Sequence, residues 1–181
     1  MKRAILPILM MALLCACGST GGQKEKFESW RQELDSVSVT ALVTISQEQQ
    51  TASYELRCDW TPESSRVEVL SPETIAGVTA SRTGGDTRLE YDGLILGLGE
   101  LGDISPVSAL PELLDAIHGG YAELCYEETM GDEKGMGVQF SPDNGVTVRL
   151  WLDKQMRPVH ADFSQDGSAD ITVSVTDWSM E

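Results

Sequence analysis

From Ser36 onward the apolar residues of this chain keep a period of two, and that alternation restricts the fold more than any other feature. Val37, Val39, Ala41, Val43 and Ile45 alternate with Ser38, Thr40, Leu42, Thr44 and Ser46. One face of such a stretch is apolar and the other polar, as a half-buried strand requires. The same reading places strands over 51–60, 65–70, 74–82, 87–91, 121–129, 135–141, 146–153, 158–165 and 169–178. Turn residues separate them, among them Thr61-Pro62-Glu63 and the hairpin signal Asp143-Asn144-Gly145. About ten short alternating strands imply an antiparallel sheet.

Only two stretches carry a helical period. Residues 23–35 put Phe27, Trp30 and Leu34 at i, i+3 and i+7, which gives one apolar stripe. Leu110, Leu113, Leu114 and Ile117 form the second stripe, with Pro111 suited to a first turn and Gly119 to a C-terminal cap. A sheet this large must curl, and its concave face needs covering. The two amphipathic helices are the available covers, so the fold class is α+β, mainly β. An apolar hollow with a lid is expected, built from Leu94, Leu96, Leu110, Leu113, Leu114 and Ile117. The glycine-rich segment 93–102 is its natural hinge.

The first residues describe a different job. Lys2 and Arg3 precede an uncharged apolar run to about Ala16, the layout of an export signal. The run contains Pro7 and falls short of the roughly 20 apolar residues of a spanning helix. Leu14-Cys15-Ala16-Cys17 then resembles the lipobox of bacterial lipoprotein signals. Cleavage before Cys17 would free its amine, and its thiol would carry a diacylglycerol, a two-chain anchor that holds stably. Cys15 fits poorly, because Ala12, Leu13 and Leu14 would precede it. The chain therefore divides into a signal peptide (1–16), a lipidated flexible tether (17–23) and one domain (24–181). Its expected place is the extracytoplasmic face of a bacterial cell membrane.

Composition narrows the partners. The chain carries a net charge of −16, and losing residues 1–16 removes two cations and no acid. Strong acidity argues against nucleic acid and against a basic patch on anionic lipid heads. Two further cysteines, Cys58 and Cys125, could bridge outside the cytoplasm. Strand phase speaks against it: Cys58 lies on an apolar face, whereas Cys125 shares its face with Glu123 and Glu127. A bulge would reconcile the two.

Two longer stretches carry a resemblance. Arg66 to Gly93 reads as strand, Pro-containing turn, then strands ending in Tyr-Asp-Gly; Val146 to Trp178 contains Leu150-Trp151-Leu152-Asp153 followed by Pro158. This order resembles the LolA-like proteins, whose fold is a half-open antiparallel barrel with helices capping its mouth. With its lipobox and single domain, the chain is similar to their Gram-positive branch, which includes germination lipoproteins of the GerS type. The resemblance implies a non-catalytic protein that binds an acyl chain or lipoprotein-like cargo, or one that supports a cell-wall amidase.

Other motifs point nowhere specific. Gly97, Gly99 and Gly102 match G-x-G-x-x-G, but Asp103-Ile104-Ser105-Pro106 follows where a dinucleotide site needs a helix. His118 and His160 are the only histidines and no metal-ligand spacing surrounds them. Asp162, Asp166, Gly167 and Asp170 miss the spacing of a calcium loop. Glu127-Glu128 and Asp132-Glu133 read as solvated turn residues, and no activated-serine motif is present. The expectation is no enzyme, no metal and no cofactor.

Overall fold

A computed structural model describes residues 19–47, 50–99, 105–141, 145–165 and 168–180. The lipobox with Cys15 and Cys17, the Asp143-Asn144 turn and Asp166-Gly167 lie outside these. Among the described residues, eleven strands form one open, curved antiparallel sheet, with two α-helices. Strands β1 (Val37–Gln47), β2 (Gln50–Thr61), β3 (Ser64–Ser71), β4 (Thr79–Thr83), β5 (Asp86–Tyr91) and β6 (Leu94–Gly99) form one half. Strands β7 (Ala122–Met130), β8 (Glu133–Phe140), β9 (Val146–Leu152), β10 (Pro158–Gln165) and β11 (Ser168–Met180) form the other. The order is β6-β5-β4-β3-β2-β1-β11-β10-β9-β8-β7, so two meanders join where the first strand pairs with the last.

The alternation expected for β1 holds: Val37, Val39, Ala41 and Val43 are buried, and Leu42 is exposed. Three elements differ from expectation. The strand read over 74–82 begins only at Thr79, because a 3₁₀ turn over Glu73–Ile75 follows Pro72. Gly77, at φ 85°, then turns the chain back, and Val69 bonds across the turn to Val78. The glycine-rich stretch is no hinge over Leu94–Gly99, which is strand β6. Helix α2 spans Pro106–Gly119, so Pro111 lies inside it and Pro106 takes the first turn. Ser105 caps that turn by a reciprocal bond with Ser108, which satisfies two otherwise orphan backbone groups.

Helix α1 (Ser19–Arg31) also begins earlier than expected, so residues 19–23 of the presumed tether are helical. Once a helix is nucleated by packing, each added residue gains a hydrogen bond, and this tolerates Gly21 and Gly22 at about 1 kcal/mol each. Phe27 anchors α1 by an edge-on contact with Phe140 at 5.8 Å, and Leu34 is buried just past the helix end. Lys24 and Arg31 then donate to the carbonyls of Ala122 (2.9 Å) and Gly120 (2.6 Å), tying α1 to the start of β7.

Helix α2 lies across β1, β2, β3 and β11. Leu110, Leu113, Leu114 and Ile117 are each no more than 2% exposed. Burial of that kind is worth roughly 1.5–3 kcal/mol per side chain, which makes the stripe part of the core. The helix seals the middle of the concave face.

Candidate functional site

The concave face is sealed unevenly. Residues paired across antiparallel strands share a face, so Val67, Ala80, Leu89 and Leu96 run in one inward row over β3 to β6. Tyr91 pairs with Leu94 on that same face. Val67 and Ala80 are buried, Leu89 is partly so, and Leu94 and Leu96 are 71% and 62% exposed. Helix α2 stops short of this end of the sheet. Beyond its covered part lies an apolar shelf on β5 and β6.

Between the shelf and the first turns of α2 is a cleft of about 310 Å³. Val67 and Ala80 form its floor, and Val107 and Pro111 line its helical wall. Arg82 and Glu112 are its charged groups. Arg82 is held by Asp115, with one guanidinium nitrogen 2.9 Å and 2.7 Å from the two carboxylate oxygens. The Trp60 indole N–H donates to the same Asp115 at 2.8 Å. Burial pushes the Glu112 carboxyl above its ordinary range, against the opposing effect of a hydrogen bond from Ser108. The cleft thus combines an apolar floor and helical wall with the hydroxyl-bearing Ser65, Ser81, Thr87 and Ser108, one compensated cation and one carboxyl reluctant to ionise. It suits an apolar or neutral group better than an anion.

The expected hollow therefore divides. Leu94 and Leu96 lie on the open shelf, whereas Leu110, Leu113, Leu114 and Ile117 are packed into the core. Arg82, Glu112 and Asp115 are unforeseen. No motif marks them, since their approach depends on how α2 crosses the sheet. A findable signal for the shelf is Asp92-Gly93, a two-residue hairpin turn before an apolar run. Both residues take positive φ there, 49° and 79°.

Cys58 and Cys125 are free thiols and both buried. They sit on β2 and β7, with β1, β11, β10, β9 and β8 between them in the sheet order. In this structure the two cysteines are not bonded to each other. The register of β7 shifts between Ala122 and Leu124, which turns Cys125 inward opposite Val138. Burial pushes the Cys58 thiol up to about 12, with Asp59 adding to it, and raises Cys125 as well.

The convex face carries a second polar grouping. His160 lies 3.0 Å from Asp162 and 3.5 Å from the Ser174 hydroxyl. The Trp151 ring packs at a tilt beside His160, centroids 5.3 Å apart, and its N–H donates to Glu128. All three members of the Ser-His-Asp set stand within paired strands, whose backbone N–H groups are spent in the ladder. No oxyanion hole can form from them. His118, at the end of α2, packs its ring against Trp60 at 5.4 Å. Among the described residues no group of His, Cys, Asp and Glu gathers as metal ligands.

No protein-family model matches the sequence, and no curated protein does either. Solved structures do match. A conserved protein from Thermus thermophilus is similar at 12% identity over 88% of each chain, with TM-score 0.55. A putative outer membrane lipoprotein-sorting protein domain from Vibrio parahaemolyticus is similar at 12% identity, over 86% of this chain and 91% of that one, with TM-score 0.52. A LolA superfamily protein from Nitrosomonas europaea matches at 14% identity over 90% and 94%, with TM-score 0.49. The chain has the LolA-like fold. At such identities the likeness is one of fold. Among the described residues no helix is long and apolar enough to cross a membrane.

Proposed function

We propose that this chain is a lipid-anchored, extracytoplasmic binding protein without catalytic activity. Cys17 carries the anchor, and the domain holds an apolar chain in the α2 cleft and along the Leu94–Leu96 shelf. The supporting observation is the exposed inward face of β5 and β6, next to a cleft floored by Val67 and Ala80 and walled by Val107 and Pro111. Leucines left 62–71% exposed on a concave face gain by being covered, and an acyl chain or a partner's apolar segment would cover them. A second reading draws on the packed α2 stripe: most of the hollow is filled by the protein's own side chains, as in a scaffold for a cell-wall enzyme.

Titration with a fluorescent fatty acid separates the two. Wild type should bind saturably, and Leu96→Asp should weaken binding about tenfold or more, since a buried leucine is worth roughly 1.5–3 kcal/mol. Leu42→Asp, also at an exposed leucine but pointing to the convex face, should bind as wild type does. Both variants should melt as wild type does. No saturable binding by folded wild type would reject the carrier and leave the scaffold.

A further inference from the structure

Strand β6 ends the sheet order, and among the described residues nothing pairs with its outer edge. Such edges are usually shielded by Lys, Pro or inward charges. Residues Leu94 to Gly97 offer none of these, and Ile95 is 65% exposed between its exposed neighbours. The β5–β6 turn decides which backbone groups are spare. In a two-residue hairpin the flanking pair, here Tyr91 and Leu94, exchanges both ladder bonds, and the pattern then alternates. Leu96 bonds back to Leu89, so the N–H and C=O of Ile95 point away from β5.

The sequence at this edge is a palindrome, Gly93-Leu94-Ile95-Leu96-Gly97. A two-fold axis at Ile95 would set Ile95 opposite Ile95, each Leu94 opposite Leu96, and each Gly93 opposite Gly97. Self-complementarity of this kind is what an isologous interface requires. We propose that two copies of this chain pair β6 to β6, antiparallel, about that axis. Leu94 and Leu96 of each copy then complete the other's shelf, giving one apolar floor shared by two clefts. Glycine at both outer positions keeps the approach free of side chains. The strong net negative charge of each chain opposes the approach, so added salt strengthens the pairing by screening. The pairing stands independently of what the shelf holds.

Cross-linking of the full-length protein in membranes tests it. Paired Cα atoms at a hydrogen-bonded antiparallel position stand about 5.5 Å apart, within disulfide reach. Ile95→Cys should therefore oxidise to a linked dimer, and Arg88→Cys, exposed one strand further in, should not. In detergent solution, sedimentation velocity should show wild type as a dimer that salt favours. Ile95→Lys should be a monomer with an unchanged melting temperature. A monomeric wild type overturns the proposal, as does a dimer that survives Ile95→Lys. Equal cross-linking at residues 88 and 95 overturns it too.

Discussion

Asp115 accepts the indole N–H of Trp60 at 2.8 Å, and this bond pins the middle of α2 to strand β2. Trp60 is only 2% exposed, so its N–H has no access to bulk water as a substitute partner. Arg82 approaches the same carboxylate but is partly exposed, as Asp115 is, and its ion pair contributes less. Asp115→Ala should cost about 1–3 kcal/mol, mostly from orphaning the indole N–H. Asp115→Asn keeps an acceptor and should cost less, and Arg82→Ala should cost under about 1 kcal/mol. Urea denaturation of the three variants would establish the ranking. Equal losses for Arg82→Ala and Asp115→Ala would assign the anchoring to the ion pair instead.

Glu112 gives the cleft a pH signature. Burial raises its carboxyl above the ordinary value. A raised acid favours the folded state fully below its unfolded pKa, near 4.3, and that contribution is lost as pH rises through the raised value. Glutamine has no such dependence. Glu112→Gln should therefore melt higher than wild type at pH 7.5, with the difference shrinking toward zero near pH 4. Thermal melts across that range check the sign. A variant less stable than wild type at pH 7.5 would mean that the ionised carboxylate is a favourable partner in the fold.

The strand pattern was largely legible because a period of two leaves little choice once one face must be buried. The Val37–Ile45 alternation and the Pro158–Gln165 strand needed no tertiary information. Asp153 is similar: Leu152-Asp153 before Pro158 marks a turn by local chemistry. Its carboxylate accepts from the backbone N–H groups of Gln155 (2.8 Å) and Arg157 (2.9 Å) and from the Arg157 side chain (2.8 Å). Burial works against its charge, yet these bonds hold the carboxyl below the ordinary range. The site was less legible. Leu94 and Leu110 look alike in sequence, and only the reach of α2 over the sheet makes one exposed and the other buried. Strand β6 was hidden by its glycines, which lower strand propensity, although pairing with β5 overrides that preference.

The two internal cysteines should report on the core rather than on redox chemistry. Cys58 and Cys125 are buried and unpaired, and their raised pKa values leave little reactive thiolate. In the natively exported protein, iodoacetamide should modify neither under native conditions. In denaturant without reductant it should modify both, located by peptide mass mapping. Resistance of both thiols until reductant is added would mean that export forms a bridge, and that β2 and β7 approach far more closely than their places in the sheet order suggest.

The anchor is testable at a single atom. Cys17 alone has the Leu-x-Ala-Cys context, and a diacylglycerol on its Sγ would give the two chains that hold a protein on a bilayer. Cys17→Ala removes the acceptor sulfur, so labelled fatty acid should no longer enter the protein. The chain should then either appear in the medium or keep its signal peptide uncleaved. Cys15→Ser should do neither, because residue 15 would leave with the signal. Membrane fractionation with labelling distinguishes these outcomes, and α1 supplies an internal check. Its contacts through Phe27, Lys24 and Arg31 belong to the domain and not to the anchor, so released Cys17→Ala protein should melt like wild type. Equal fatty-acid labelling of wild type and Cys17→Ala would remove the lipid anchor from this protein's description and with it the membrane placement of the cleft.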